Sequence, residues 1–133
     1  MALAAAASAA ARVLVSGAGS PIVNGIYARR EAAAIPAAFA RVCVASGWDA
    51  AATWARLNEQ RAWWEAPNGS YLYLNSSDGL YWLDDGVTGL GLYVSGAGGA
   101  GGGSVPPSAG WRLIGRGLLP LPAIAVDEAG GEL

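Results

Sequence analysis

The chain contains no histidine and no lysine, and only one cysteine and one phenylalanine. The missing histidine removes the commonest general base and the commonest metal ligand at once. A single cysteine forms no internal disulfide and gives no sign of an oxidising compartment. All eight cations are arginine against ten acidic residues, for a net charge of −2 and a pI near 4.9. A phosphate-backbone partner needs a basic stripe, so no nucleic-acid partner is expected. No apolar run approaches the ~20 residues of a membrane span. No cofactor and no metal ligand set are expected either.

What is present is mostly small and apolar. Of 133 residues, 53% are apolar and only 14% charged, which argues against disorder across the whole chain. Much of that apolar count is alanine, which adds little burial per residue. The length suits one domain with a real but modest core.

The aromatic residues are concentrated between Arg61 and Val94, where Trp63, Trp64, Trp82, Tyr71, Tyr73, Tyr81 and Tyr93 lie. Turn-formers punctuate this stretch at Pro67-Asn68-Gly69, Ser76-Ser77-Asp78-Gly79 and Asp85-Gly86 with Gly89. Short apolar runs separated by such turns predict an antiparallel meander. A loop over Ser76 to Gly79 pairs Leu74 with Tyr81, Tyr73 with Trp82 and Leu72 with Leu83. A loop over Ala66 to Gly69 pairs Trp64 with Tyr71 and Trp63 with Leu72. Alternation then puts Trp63, Leu72, Leu74, Tyr81 and Leu83 on one face and Trp64, Tyr71, Tyr73 and Trp82 on the other. A one-residue slip would exchange these memberships.

Upstream, Val13-Leu14-Val15 runs into Gly17-Ala18-Gly19-Ser20, a strand followed by a glycine turn. A dinucleotide-binding fingerprint begins this way, but Ile22 occupies the place of its third glycine and Pro21 precedes it. Ile22 to Tyr27 reads as a turn and second strand, which leaves a loop joining two edge strands. Pro36 can open a helix, Phe39, Val42 and Cys43 share one face of it, and Gly47 can close it. Asp49 is placed to cap a second helix over Ala50–Asn58, with Trp54 and Leu57 on its buried stripe. Both helices are too short to stand alone and need the sheet.

The expected fold is a small single-domain α+β arrangement, an antiparallel β-meander with an N-terminal hairpin and two short helices. Residues 1–12 form an Ala-rich tail, read as frayed or helical in preference to a signal-peptide core. The domain runs over 13–126, with a Gly/Pro-rich loop at 95–108, and 127–133 form a second tail. Within it, Trp111 to Ile114 reads as a last strand and Leu119 to Pro122 as extended chain. The compartment stays open, the cytoplasm slightly favoured.

The order GAGS-PIVNG-IY, FARVC-ASGWD-TW-RLN, WWEA-NGSYLYLN-DGLYW-D-TGLGLYV and GW-G-LP-P resembles a domain found in many uncharacterised proteins of algae and other protists. The resemblance covers Val13 to Val126. It implies domain boundaries and transfers no active site.

Three kinds of chemistry compete with structural readings. Cys43 lacks a histidine to activate it, and its spacing from Phe39 makes it a small buried residue. Glu65 and Asp84 are an acidic pair of the kind glycoside hydrolysis uses, expected near strand ends on different faces. Asp78, Asp84 and Asp85 sit beside glycines without calcium-loop spacing, which suits turn formation better. The face of Trp64, Tyr71, Tyr73 and Trp82 is the feature with functional shape, unless the helices cover it. The expected function is a non-catalytic module that binds a protein or glycan through that face. The alternatives are a glycoside-type hydrolase and a structural subunit of a larger assembly.

Overall fold

A computed structural model describes residues 12–95 and 105–127. Among these, eight strands form one antiparallel sheet: β1 (Arg12–Ser16), β2 (Gly25–Arg30), β3 (Trp63–Glu65), β4 (Tyr71–Asn75), β5 (Leu80–Asp84), β6 (Gly91–Ser95), β7 (Trp111–Leu113) and β8 (Ala123–Asp127). Two helices, α1 (Ala37–Ala45) and α2 (Ala50–Asn58), lie between β2 and β3. The α+β class and the meander hold, and the strand order is β7-β6-β5-β4-β3-β2-β1-β8.

The N-terminal hairpin and the aromatic meander belong to the same sheet, joined where β2 pairs with β3. β1 and β2 are interior strands, not edges, because β8 returns to pair along β1. Arg12 therefore belongs to the domain, and Asp127 ends β8 opposite it, with their side chains paired at 2.8 Å. Most of the 95–108 loop and both remaining tails lie outside the described residues.

Every strand feeds one cluster on the inner face of the sheet. It includes Val13, Val15, Tyr27, Trp64, Leu72, Leu74, Tyr81, Leu83, Tyr93, Trp111 and Ile124. The sheet curls round these side chains, and each large one contributes ~1.5–3 kcal/mol by leaving water. The chain between β7 and β8 is fastened by the loop after β1. The Gly19 amide donates to the Pro120 carbonyl at 2.9 Å, and Tyr93 Oη donates to the Leu118 carbonyl at 2.6 Å while accepting from the Ser20 amide. A Cβ on Gly19 would stand 2.0 Å from the Leu119 carbonyl oxygen. The glycine in this GxG is thus required by chain crossing rather than by a phosphate.

On the other face α1 and α2 cover β3, β4 and part of β5. Pro36 precedes α1, and Phe39 and Cys43 turn inward. Asp49 caps α2, its Oδ1 accepting from the Ala52 amide at 2.9 Å. Trp54 donates from Nε1 to the Ala32 carbonyl at 3.3 Å, and Trp63 to the carbonyls of Glu31 and Ala34 at 3.1 Å each, which anchors the loop entering α1.

Candidate functional site

The β4–β5 register is Leu74 opposite Tyr81, Tyr73 opposite Trp82 and Leu72 opposite Leu83. The β3–β4 register differs by one residue from the expected one: Trp64 faces Leu72, and Glu65 faces Tyr71. The loop is one residue longer because Ser70 does not join β4. Its hydroxyl donates to the Ile22 carbonyl at 3.2 Å, its carbonyl accepts from the Ala66 amide, and Asn68 Nδ2 also reaches Ile22. The slip exchanges the two tryptophans. Trp64 belongs to the inner core, and Trp63 joins Tyr71 and Tyr73 on the outer face.

The four rings expected to form a binding face therefore do not share one. Tyr71 and Tyr73 stack at 5.9 Å between centroids beneath the helices. Trp54 comes down on them, 5.2 Å from Tyr73, 5.5 Å from Trp63 and 5.0 Å from Phe39. Edge-on pairs of this kind add ~0.5–1.5 kcal/mol beyond area burial. Trp64, Tyr71 and Tyr73 are buried, whereas Trp82 is half-buried and donates from Nε1 to Asp78 at 2.9 Å. Outside this cluster, Trp48 in the α1–α2 connection is exposed.

Glu65 and Asp84 stand on the same face rather than on different ones, each opposite Tyr71 from its own side. The register slip that moved Trp64 inward brought Glu65 outward. Their environments differ. Glu65 is only partly buried and pairs with Arg30, whose guanidinium also lies 5.5 Å from the Trp63 ring centre. Asp84 is enclosed, and burial, with the neighbouring charge of Asp85, raises its pKa to about 8 against the pull of Tyr71. Its Oδ1 has no hydrogen-bond partner, and the Tyr71 hydroxyl is shared with the Gly89 carbonyl at 3.4 Å.

The turn from Asp85 to Leu90 presses on α1 above this carboxyl: Arg41 donates to the carbonyls of Gly86 and Val87 at 3.0 and 3.3 Å. Asp85 shapes that turn, accepting from the amides of Val87 and Thr88 and from the Thr88 hydroxyl. Burial alone would raise its pKa, but these bonds outweigh it and hold it below the usual range. Asp78 accepts from the Leu80 amide and the Trp82 indole, so Asp78 and Asp85 each shape a turn, whereas Asp84, expected in a turn as well, ends strand β5. Burial raises the Cys43 thiol, which sits beneath α1 against the aromatic cluster.

The helices stop short of β8, β1 and the start of β2. There the outer face shows Leu14, Ile26, Ala28 and Ala125, with Leu14 44% and Ile26 56% exposed. Two shallow grooves of about 380 and 320 Å3 meet at Ile26. The Arg12–Asp127 pair bounds the first and the Arg30–Glu65 pair the second. The sequence reading did not single out these residues. The signal was there: in β1 and β2, apolar residues fall on both alternating faces, which a strand with one solvated face would not need. No family model, curated protein or solved structure matches the chain.

Proposed function

We propose that the chain is a non-catalytic interaction module that meets a protein partner on the outer face of β8, β1 and β2. The observation that supports this is the apolar strip of Leu14, Ile26, Ala28 and Ala125, bracketed by two ion pairs on the sheet. Exposed aliphatic side chains rimmed by charge suit a protein surface. Among the described residues β8 pairs with β1 alone, so a partner seated there can also reach a strand edge. A glycan platform needs accessible rings, and of the four rings first considered only Trp82 is part exposed. That burial moves the contact surface away from the aromatic meander.

The test is capture of a partner by the wild-type chain and by a Leu14→Asp, Ile26→Asp double variant. Loss of the partner with an unchanged melting temperature supports the reading. Undiminished capture, together with quenching of tryptophan fluorescence by a polysaccharide, would return the role to Trp82 and its neighbours.

A second reading has one specific observation behind it. Glu65 and Asp84 flank Tyr71 on one face, and burial raises the pKa of Asp84 to about 8, as a general acid requires. The covering turn and α1 stand between Asp84 and solvent. Activity on chromogenic glycosides, abolished by Glu65→Gln and by Asp84→Asn, would establish this reading, and an inactive wild type would remove it.

A further inference from the structure

Between β7 and β8 the chain reads Ile-Gly-Arg-Gly-Leu-Leu-Pro-Leu-Pro over 114–122. Its leucines do not turn inward: Leu118 is 58% and Leu119 67% exposed, and Leu121 is exposed after them. Leu113, at the end of β7, is exposed too. A Cβ on Gly117 would lie 3.2 Å from Leu113 Cδ2, which puts Leu113 against the base of the same loop. Single exposed leucines are ordinary, but a run of them on one loop marks a contact surface.

The backbone fixes this exposure. The Leu118 amide donates to Ser20 Oγ at 3.0 Å, the Leu118 carbonyl accepts from Tyr93 Oη, and the Pro120 carbonyl accepts from the Gly19 amide. These bonds hold the main chain down on the loop after β1. They also leave Leu118 and Pro120 with no unpaired backbone group, the condition for entering an apolar layer. The charge here reverses that of the whole chain. From Gly110 to Val126 there are two arginines and no acid, against a net charge of −2 overall. Among the described residues Arg112 and Arg116 are exposed and make no ion pair, whereas Arg12, Arg29, Arg30 and Arg61 each have one.

We infer that this loop docks the protein on an anionic lipid surface, with Leu118 and Leu119 entering the apolar edge of the bilayer and Arg112 and Arg116 meeting the headgroups. Leu118 to Pro122 carries no polar side chain. It therefore offers none of the side-chain hydrogen bonds that help a protein interface reach about one per 100–200 Å2. A bilayer surface asks only for apolar side chains flanked by cations. The loop is a different surface from the strip of Leu14 and Ile26, and the two assignments stand or fall separately.

The test is co-sedimentation of the full chain with phosphatidylcholine vesicles, with and without phosphatidylserine, at low and high salt. The wild type is expected to bind the phosphatidylserine vesicles and to be released by salt. A Leu118→Ser, Leu119→Ser double variant is expected to bind at least tenfold more weakly. Arg112→Gln with Arg116→Gln should lose roughly tenfold on phosphatidylserine vesicles alone. All four side chains are exposed, so melting temperatures should not change, and Leu14→Asp should bind vesicles as the wild type does. Failure of the wild type to bind either vesicle, undiminished binding by the double leucine variant, or an equal loss in Leu14→Asp would each overturn the assignment. So would loss of a captured protein, rather than of vesicles, in the double leucine variant, which would give the loop to a protein partner.

Discussion

The two faces of the sheet are built on opposite plans. The inner face draws a side chain from each of the eight strands and closes on itself, with Val13, Val15, Leu72 and Leu83 interleaved with Tyr27, Trp64, Tyr81 and Tyr93. The outer face is covered only over the middle strands. There the cover is aromatic on aromatic, Trp54 and Phe39 on Trp63, Tyr71 and Tyr73. Two nine-residue helices cannot stabilise themselves, so large rings at their contact supply what helix length does not. Where no helix reaches, the side chains are the smaller Leu14, Ile26, Ala28 and Ala125, which remain in water. Ring-bearing residues thus mark the covered part of this face, and aliphatic ones mark the part left open to solvent.

Adjacent tryptophans on opposite faces break the comparison most strongly. Trp64→Ala and Trp63→Ala each remove a fully buried indole, a loss of about 3–5 kcal/mol. The expected patterns differ. Hydrogen exchange in Trp64→Ala should rise throughout the sheet, because its inner cluster spans every strand. In Trp63→Ala it should rise first in α1 and α2, with the inner strands still protected. Matching exchange patterns would show that the two faces are one cooperative unit.

The next effect is electrostatic. The folded pKa of Asp84, about 8, lies above the 3.8 of an unperturbed carboxyl. Below 3.8 both folded and unfolded chains are protonated and the group contributes nothing to pH dependence. As pH rises from there to 8, the unfolded chain ionises and the folded one does not, so stability is lost. The slope is about 1.4 kcal/mol per pH unit, and it ends above the folded pKa. Asp85 sits beside this carboxyl in the turn, Tyr71 and Tyr73 face it from β4, and Cys43 approaches those tyrosines from α1. Asp84→Asn keeps the shape and removes the ionisation. It should stabilise the chain at pH 7 by about 2–4 kcal/mol and by little at pH 4. Denaturation of both chains across this range decides it, and a constant difference between them would refute the enclosure of Asp84.

A smaller effect probes the seam between turn and helix. Gly89 has φ of +74°, and a Cβ there would stand 2.7 Å from both the Ala38 carbonyl oxygen and Val42 Cγ2. Gly89→Ala should cost about 1–3 kcal/mol and loosen the turn from α1. The check is denaturant unfolding together with the chemical shift of the Arg41 guanidinium, which the turn carbonyls now hold.

How much of this was legible in the sequence depended on loop length. The Ser76–Gly79 loop has four residues and good turn chemistry, so the β4–β5 pairs could be read residue by residue. Asp49 and the spacing of Trp54 gave α2 its limits. At Ala66 the same reasoning slipped by one, because Ser70 is held by a long-range bond to Ile22 that no local pattern reveals. One residue was enough to send Trp64 inward, bring Glu65 beside the row of Asp84, and dissolve the expected four-ring platform. β8 was missed altogether. Its Ala-Ile-Ala-Val follows two prolines and pairs with a strand more than a hundred positions away. Asn58 was read only as the end of a helix. The structure buries it fully, with Nδ2 donating to the Arg61 carbonyl at 2.7 Å.

The smallest effect on stability is expected where the effect on binding is largest. Leu14 and Ile26 expose 44% and 56% of their surface, so Leu14→Asp and Ile26→Asp remove little buried area. Each should change unfolding free energy by less than about 0.5 kcal/mol. Each also puts a carboxylate between the Arg12–Asp127 and Arg30–Glu65 pairs, on a strip that a partner would have to dehydrate. A bound partner should then leave at least tenfold faster, since loss of buried contact acts mainly on dissociation. Val44→Asp, on the exposed side of α1, is the matched control. If the control weakened capture as much as the strip variants did, the aliphatic part of the outer face would be ordinary surface, and its contrast with the covered aromatic part would have no bearing on recognition.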